Sequence, residues 1–154
     1  MSERLITKDT YDRLSQDLER MKTEERMEIA ERIRQAKEFG DLSENAEYKE
    51  ALDAQATLEQ RILDMDVILR EAKIIKPSRS KTKIEVGVSF EVRDMGTKKK
   101  LTFTLVGFGD ANPMQGKIST DSPLGAAFLE KTVDDEVEVK LPERVLTYKV
   151  LKIL

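Results

Sequence analysis

Two acidic side chains, Asp41 and Glu44, stand three residues apart in a short segment between two long stretches that lack glycine and proline. Two such carboxylates can hold a divalent cation from one side and leave its other positions to a partner's ligands, which is the usual binding mode of Mg²⁺. The same spacing is that of a capping box, in which polar residues start a helix and complement its dipole. The residues alone leave both interpretations open, and helix capping is the commoner one.

Composition restricts the chemistry that this chain can perform. Its 154 residues include no cysteine and no histidine, which excludes disulfides, thiolate nucleophiles, Cys/His zinc sites and the commonest general base. A metal site must therefore use carboxylate oxygens, and these favour a hard ion such as Mg²⁺. No apolar run approaches the roughly 20 residues of a membrane span, so we expect a soluble, cytoplasmic protein with no membrane partner.

Charge is unevenly distributed between the two halves of the chain. Residues 1–75 carry 13 basic and 19 acidic side chains, a net charge of −6, whereas residues 76–154 carry 14 basic and 11 acidic side chains, a net charge of +3. The acidic first half argues against a protein that binds free duplex nucleic acid by itself, since such a protein needs a dominant basic surface.

Two long helices are predicted on either side of the acidic pair, over residues 8–38 and 44–73, because both stretches are rich in strong helix formers. The second contains a stripe with the three- and four-residue spacing of a coiled coil, formed by Tyr48, Ala51, Gln55, Leu58, Ile62, Met65, Leu69 and Ala72. The first contains a matching stripe, formed by Tyr11, Leu14, Leu18, Met21, Ile29, Ile33 and Ala36. Its register slips between Met21 and Ile29, which predicts a stutter or a locally loosened interface.

The connection between the helices is so short that they must be antiparallel neighbours. We therefore predict a coiled-coil hairpin over residues 1–75 with its tip at 39–45. Gly40 suits the left-handed residue that ends a helix, Asn45 suits a helix start, and Tyr48 begins the apolar stripe, so these three residues are expected to shape the tip.

The pattern changes after Ile75, where a polar linker (76–83) leads to a small α+β domain (84–154). Alternating apolar and polar residues predict half-buried strands of an antiparallel sheet, at 86–93, 101–107, 135–140 and 145–153. Proline at the first helical position predicts that Ser122-Pro123 opens a short helix over 124–131.

Nine residues at the tip, 40–48 (Gly-Asp-Leu-Ser-Glu-Asn-Ala-Glu-Tyr), resemble the signature of the bacterial Gre-type transcript cleavage and elongation factors. Residues 29–33, 116–119 and 121–125 resemble the same family, so the similarity runs nearly from end to end. The chain is more similar to the GreA branch than to GreB.

The resemblance implies an FKBP-like fold for residues 84–154 and bacterial RNA polymerase as the partner. The hairpin would enter the secondary channel of the polymerase, where Asp41 and Glu44 help to bind the second catalytic Mg²⁺ and Ser43 helps to orient water or metal ligands. The polymerase's own aspartates would hold the other ion, and the nascent RNA would be cleaved near its backtracked 3′ end. We therefore expect a monomeric factor that completes another enzyme's site and is not an enzyme by itself.

Further residues have two possible roles each. Basic residues near the tip could face the RNA 3′ end or form a solvated helix face; they are Arg32, Arg34, Lys37 and Lys49. Residues of the short helix could dock on the polymerase or pack in the domain core; they are Leu124, Ala127, Phe128 and Leu129. The sequence departs from the family pattern at two places that bear on the details of docking. Glu130 stands at a position that is usually glycine, and residues 141–144 replace a turn that often has paired glycines.

Two other functions agree with this pattern. A Gre-like paralogue could occupy the polymerase channel and regulate transcription without stimulating cleavage, although retention of both tip acids disfavours this function. A coiled-coil adaptor or chaperone with a small binding domain would bind its clients independently of polymerase and would be indifferent to substitutions at the tip.

Overall fold

Residues 4–40 and 45–154 are described by the structure, which is a computed structural model. They form two compact units, one comprising Tyr11–Glu71 and the other joining the chain up to Thr10 with Ala72–Leu154. Within these described residues, no helix is both long enough and apolar enough to cross a membrane. Three predicted site residues, Asp41, Ser43 and Glu44, lie outside the described residues.

The predicted antiparallel helical hairpin is confirmed. Its first arm consists of α1 (Lys8–Arg20), a π-helical segment (Met21–Glu25) and α2 (Arg26–Lys37), and its second arm is α3 (Ala46–Glu71). Buried residues from both arms meet in one apolar cluster, which contains Leu18, Met21, Leu58 and Ile62, with Ile29, Met65 and Leu69 packed against it. The guanidinium of Arg26 also donates to both carboxylate oxygens of Glu59 at 2.9 Å, so the arms are joined by polar contacts as well.

The π-helical segment lies where the apolar stripe of the first arm slips its register. Eight residues separate Met21 from Ile29, and at about 100° per residue an α-helix would turn Ile29 about 80° away from the stripe. A π-turn accommodates one extra residue, which brings the two side chains back to within about 20° of each other. Both residues accordingly belong to the apolar cluster, so the slip is absorbed by the backbone and not by a loosened interface.

The second unit contains two sheets and one short α-helix. A parallel two-stranded sheet pairs β1 (Arg4–Thr7) with β2 (Ala72–Ile75). The five-stranded sheet has the order β5-β4-β3-β7-β6, formed by β3 (Ser89–Asp94), β4 (Lys100–Val106), β5 (Lys117–Ser119), β6 (Glu136–Lys140) and β7 (Val145–Ile153). Helix α4 (Pro123–Phe128) contacts β5 and β6, which completes the expected α+β arrangement.

Three short strands were not predicted from the sequence. β1 and β2 have four residues each and β5 has three, too few to show alternation, and the prediction of an antiparallel sheet is wrong for β5, which runs parallel to β4. The pairing of β1 with β2 also places both strands in the second unit, so the compact units do not divide the chain at residue 75. The backbone N–H of Phe108 donates to the Leu5 carbonyl at 2.7 Å, which ties β1 further to that unit.

Aromatic residues fill the core of the five-stranded sheet. Phe90 and Phe128 are completely buried, with their ring centroids 5.0 Å apart, and Phe103 and Tyr148 pack around them at centroid distances of 5.6 to 6.3 Å. Four of the second half's five aromatic rings are therefore used to stabilise the domain core.

Candidate functional site

The tip of the hairpin is bounded on one side by the end of α2. The N–H of Phe39 donates to the Ala36 carbonyl at 3.2 Å, and the N–H of Gly40 donates to the Lys37 carbonyl at 3.4 Å. Gly40 has a φ of 100°, in the left-handed region that favours glycine, and thereby turns the chain out of the helix.

Asn45 bounds the tip on the other side and contacts both arms. Its Oδ1 accepts a hydrogen bond from the N–H of Tyr48 at 3.1 Å, which caps the first turn of α3. Its Nδ2 donates to the carbonyl oxygen of Ala36 at 2.6 Å, at the end of α2. One side-chain amide therefore fixes the start of one helix against the end of the other.

Asn45 is the N-cap of α3, whereas the capping interpretation of Asp41 and Glu44 stays a prediction because both residues lie outside the described part of the chain. Helix α3 begins at Ala46, two residues after the predicted start at residue 44, and its N-cap acceptor is supplied by Asn45. The Asn45 side chain supplies an acceptor, Oδ1, to the N–H of Tyr48, and its Nδ2 adds a donor that an ionised Asp or Glu lacks.

Arg34, one of the predicted RNA-facing residues, forms ion pairs with two acidic neighbours. Its guanidinium contacts Glu31 at 2.5 and 3.0 Å and Glu38 at 2.7 Å. The hydrogen bond with Glu31 raises the pKa of Arg34, and the same bond lowers the pKa of Glu31. The local charge of Arg34 is thus largely compensated, which weakens its expected role in contacting RNA.

The other three basic residues near the tip are exposed: Arg32, Lys37 and Lys49. None of them makes an ion pair with any residue that the structure describes. Arg32 lines a groove between α2 and α3 together with Arg34, whereas Lys37 and Lys49 do not line it. The groove also contains three glutamates and the ring of Phe39, which is 71% exposed, so its charge is mixed.

The metal role of Asp41 and Glu44 stays a prediction, as does the role of Ser43. In the parts of the chain from residue 4 to 40 and from 45 onwards, no three or more Asp or Glu side chains are grouped to hold a metal ion. A metal site formed jointly with another protein needs only the tip pair from this chain, and that pair lies outside these parts.

The short helix α4 has a clear structural role. Phe128 is completely buried, so core packing, and not docking, is the role that the structure shows for this residue. Leu124, Ala127 and Leu129 are partly exposed and pack against the same core, which leaves docking a prediction for them. Gly125 allows α4 to approach β5 closely, because a Cβ at this position would lie 1.8 Å from the Ser119 carbonyl oxygen.

The two departures from the family pattern have different structural consequences. Glu130 adopts a φ of 67°, a left-handed conformation in which glycine is unstrained, and its N–H donates to the Ile84 carbonyl at 2.6 Å. The 141–144 turn closes with a 2.8 Å hydrogen bond from the N–H of Leu141 to the carbonyl of Arg144, and none of its residues has a positive φ. Glycine is therefore favoured at position 130 and is not needed in the turn.

Comparison with known proteins covers almost the whole chain. Residues 4–74 match the family described as "Transcription elongation factor, N-terminal", and residues 79–154 match "Transcription elongation factor, GreA/GreB, C-term". The transcription elongation factor GreA of Clostridioides difficile is 41% identical over 97% of this chain and 94% of its own length. That of Chloroflexus aggregans is 43% identical over 96% of this chain and 95% of its own length.

A solved structure, that of the GreA factor homolog 1 of Thermus thermophilus, is 29% identical and covers 99% of both chains. Its TM-score to this chain is 0.45.

Proposed function

Because this chain belongs to the GreA/GreB family of transcription elongation factors, we propose that it binds RNA polymerase and stimulates cleavage of backtracked nascent RNA. The observation that carries the proposal is the tip sequence 40–48 on an antiparallel hairpin whose helix start is capped by Asn45. The N-cap of α3 is supplied by Asn45, and the proposal assigns Asp41 and Glu44 to the partner's site.

In the proposed mechanism, some residues of the tip shape the turn and others supply charged or polar groups to the polymerase. Asn45 and Gly40 turn the chain between the arms, and the apolar cluster keeps the arms together behind them. Asp41 and Glu44 present carboxylates to the polymerase active site, and Ser43 presents a hydroxyl that can orient a water molecule. The chain thereby completes a site on another enzyme, with the extruded RNA 3′ end as the substrate.

The donor set of the tip fits Mg²⁺, because carboxylate oxygens are the ligands that this ion prefers and the chain has no histidine or cysteine to favour a softer metal. Asp41 and Glu44 are the residues that would hold the ion, and the polymerase would supply the remaining ligands. A bound Mg²⁺ would neutralise charge on the phosphate under attack. Two carboxylates alone bind Mg²⁺ weakly, so we expect binding only within the complex.

The proposal is tested with purified polymerase complexes stalled on backtracked RNA. We expect Asp41→Asn to slow release of the 3′ RNA fragment by at least about tenfold, because a metal-directed carboxylate is lost. Raising the Mg²⁺ concentration should restore part of the rate. The matched control is Asp64→Asn, an exposed aspartate on α3, and it should cleave like the wild type.

Three outcomes would contradict the proposal. Equal cleavage by the wild type and Asp41→Asn would remove the metal role of the tip. Wild-type protein that binds polymerase and releases no fragment would indicate a non-catalytic regulator, and failure to bind polymerase at all would favour an adaptor or chaperone.

A further inference from the structure

One face of the five-stranded sheet carries a row of cations across three neighbouring strands. Arg93 on β3 is opposite Lys100 on β4 and opposite Lys149 on β7. Directly opposed residues share a face, and neighbouring strands are about 4.8 Å apart, so the row spans about 10 Å. Two more lysines, Lys98 and Lys99, precede Lys100 in the turn between β3 and β4; the five residues are called the basic face below.

The charges of this row are incompletely compensated. Like charges directly opposite each other in a sheet repel, and Nε of Arg93 is buried without any hydrogen-bond partner. Glu91 lies 3.9 Å from Lys100, and Glu136 is opposite Lys149 in the ladder. Among the described residues, neither Arg93 nor Lys149 makes an ion pair, so the basic face keeps a net positive charge.

The turn that presents the lysines is held in one conformation. Asp94 accepts hydrogen bonds on Oδ1 from the N–H groups of Gly96 and Thr97, at 2.8 and 3.3 Å, and its carbonyl accepts from Lys98 at 2.7 Å. Asp94 is thus engaged by the turn itself. Lys98 has a φ of 66°, which is uncommon for a residue other than glycine, and the turn therefore keeps a charged side chain where glycine would fit better.

The neighbours of the row indicate the chemistry of its partner. The other positions on this side of β3 and β4 are Ser89, Glu91, Thr102 and Thr104, of which three offer hydroxyl groups and none is aromatic. Protein interfaces are enriched in aromatic residues, methionine and arginine but depleted in lysine, and four of the five cations here are lysines. Single-stranded nucleic acid is bound by stacking on aromatic rings. Lysines, an arginine and hydroxyls are the groups that contact phosphates without reading bases.

We propose that the basic face contacts the phosphate backbone of double-stranded nucleic acid, independently of its sequence. The inference does not depend on RNA cleavage, because it rests on the second unit alone. The acidic hairpin repels phosphates, so the contact should be weak for the free protein and strongly dependent on salt.

The test is fluorescence anisotropy of the full chain with labelled duplexes of about 20 base pairs, one of DNA and one of RNA, at about 50 to 200 mM salt. The variant Lys98→Gln, Lys100→Gln, Lys149→Gln leaves Arg93 in place to protect the fold. We expect at least tenfold weaker binding at the lowest salt. The slope of log K against log salt should shrink by up to about 2.7, since each lost phosphate contact contributes about 0.9.

The matched control changes three exposed lysines of the same unit that lie outside these strands, as Lys76→Gln, Lys81→Gln, Lys131→Gln. It lowers the net charge equally and should keep wild-type affinity. If both variants bound the duplexes equally weakly, the loss of affinity would follow from the overall charge of the chain, and the proposal would be overturned. It would also be overturned if neither duplex bound, if only one of them bound, or if a poly-glutamate peptide bound through the same lysines in place of the duplexes.

Discussion

Three charged residues adopt the left-handed backbone conformation, which is unfavourable for every residue with a Cβ atom. Lys98, Glu130 and Asp134 have φ angles of 66°, 67° and 72°. A Cβ in this region approaches the following carbonyl oxygen, which costs roughly 1–2 kcal/mol for an ordinary residue and nothing for glycine. At position 130 the resemblance to the family leads us to expect glycine, and the φ of Glu130 shows the conformation in which glutamate carries this cost.

Glu130→Gly is expected to stabilise the second unit. Relief of the left-handed strain exceeds the extra entropy that glycine loses on folding, and the net gain should be up to about 1 kcal/mol in the free energy of unfolding. Urea denaturation followed by circular dichroism measures it. Glu138→Gly is the matched control, because this exposed glutamate lies within β6, and it should lower stability by about 0.5–1 kcal/mol. A loss of stability in Glu130→Gly would mean that its side chain makes a contact that outweighs the strain.

At the scale of elements, the hairpin depends on polar contacts at its tip as well as on its apolar stripe. Asn45 caps α3 and also donates a hydrogen bond to the opposite arm. The sequence predicted its place at the helix start but not the bond to the other arm. The π-helical segment performs a similar task in the backbone, since it keeps Met21 and Ile29 in one cluster despite their unfavourable spacing.

Asn45→Ala should destabilise the tip by about 1–2 kcal/mol, since the cap of α3 and the bond to Ala36 are both lost. Hydrogen exchange of the amides of residues 46–49, measured by mass spectrometry, should accelerate accordingly. Asn45→Asp keeps an acceptor for the Tyr48 N–H and loses only the donor to Ala36, so its exchange should be intermediate. Identical exchange in the wild type and Asn45→Ala would show that the amide does not hold the tip.

For the molecule as a whole, the beginning of the chain is part of the second unit. Ile6 is completely buried, Leu5 accepts a hydrogen bond from Phe108, and the Thr10 hydroxyl donates to Asp110 at 2.7 Å. The second unit is therefore assembled from both ends of the hairpin's sequence, and substitutions in the first ten residues should affect its stability.

Ile6→Ala should lower the free energy of unfolding of the second unit by about 2–5 kcal/mol, because it leaves a cavity in a buried site. The control is Ile74→Ala on the paired strand, which should cost much less because Ile74 is 46% exposed. Hydrogen exchange localises the effect, which we expect at residues 72–75 and 107–108. Accelerated exchange confined to α1 would contradict the assignment of β1 to this unit.

Residue periodicity and composition were sufficient to predict the hairpin, its approximate bounds, four of the strands and the place where the coiled-coil register slips. These features are local, because helix and strand periods are visible within 10 to 30 consecutive residues. The tip motif likewise indicated the family, and the comparisons confirmed it. The ligands of the tip stay a prediction, with Asp41, Ser43 and Glu44 outside the described residues.

Other features were decided only by contacts between residues far apart in the chain. The parallel pairing of β1 with β2 joins Arg4 to Ala72, and the amide of Asn45 both caps α3 and reaches the Ala36 carbonyl. Burial settled Phe128 as a core residue, and strand register aligned Arg93 with Lys100 and Lys149. Such pairings depend on which distant segments pack together, and that choice minimises the free energy of the whole fold and not of any one segment.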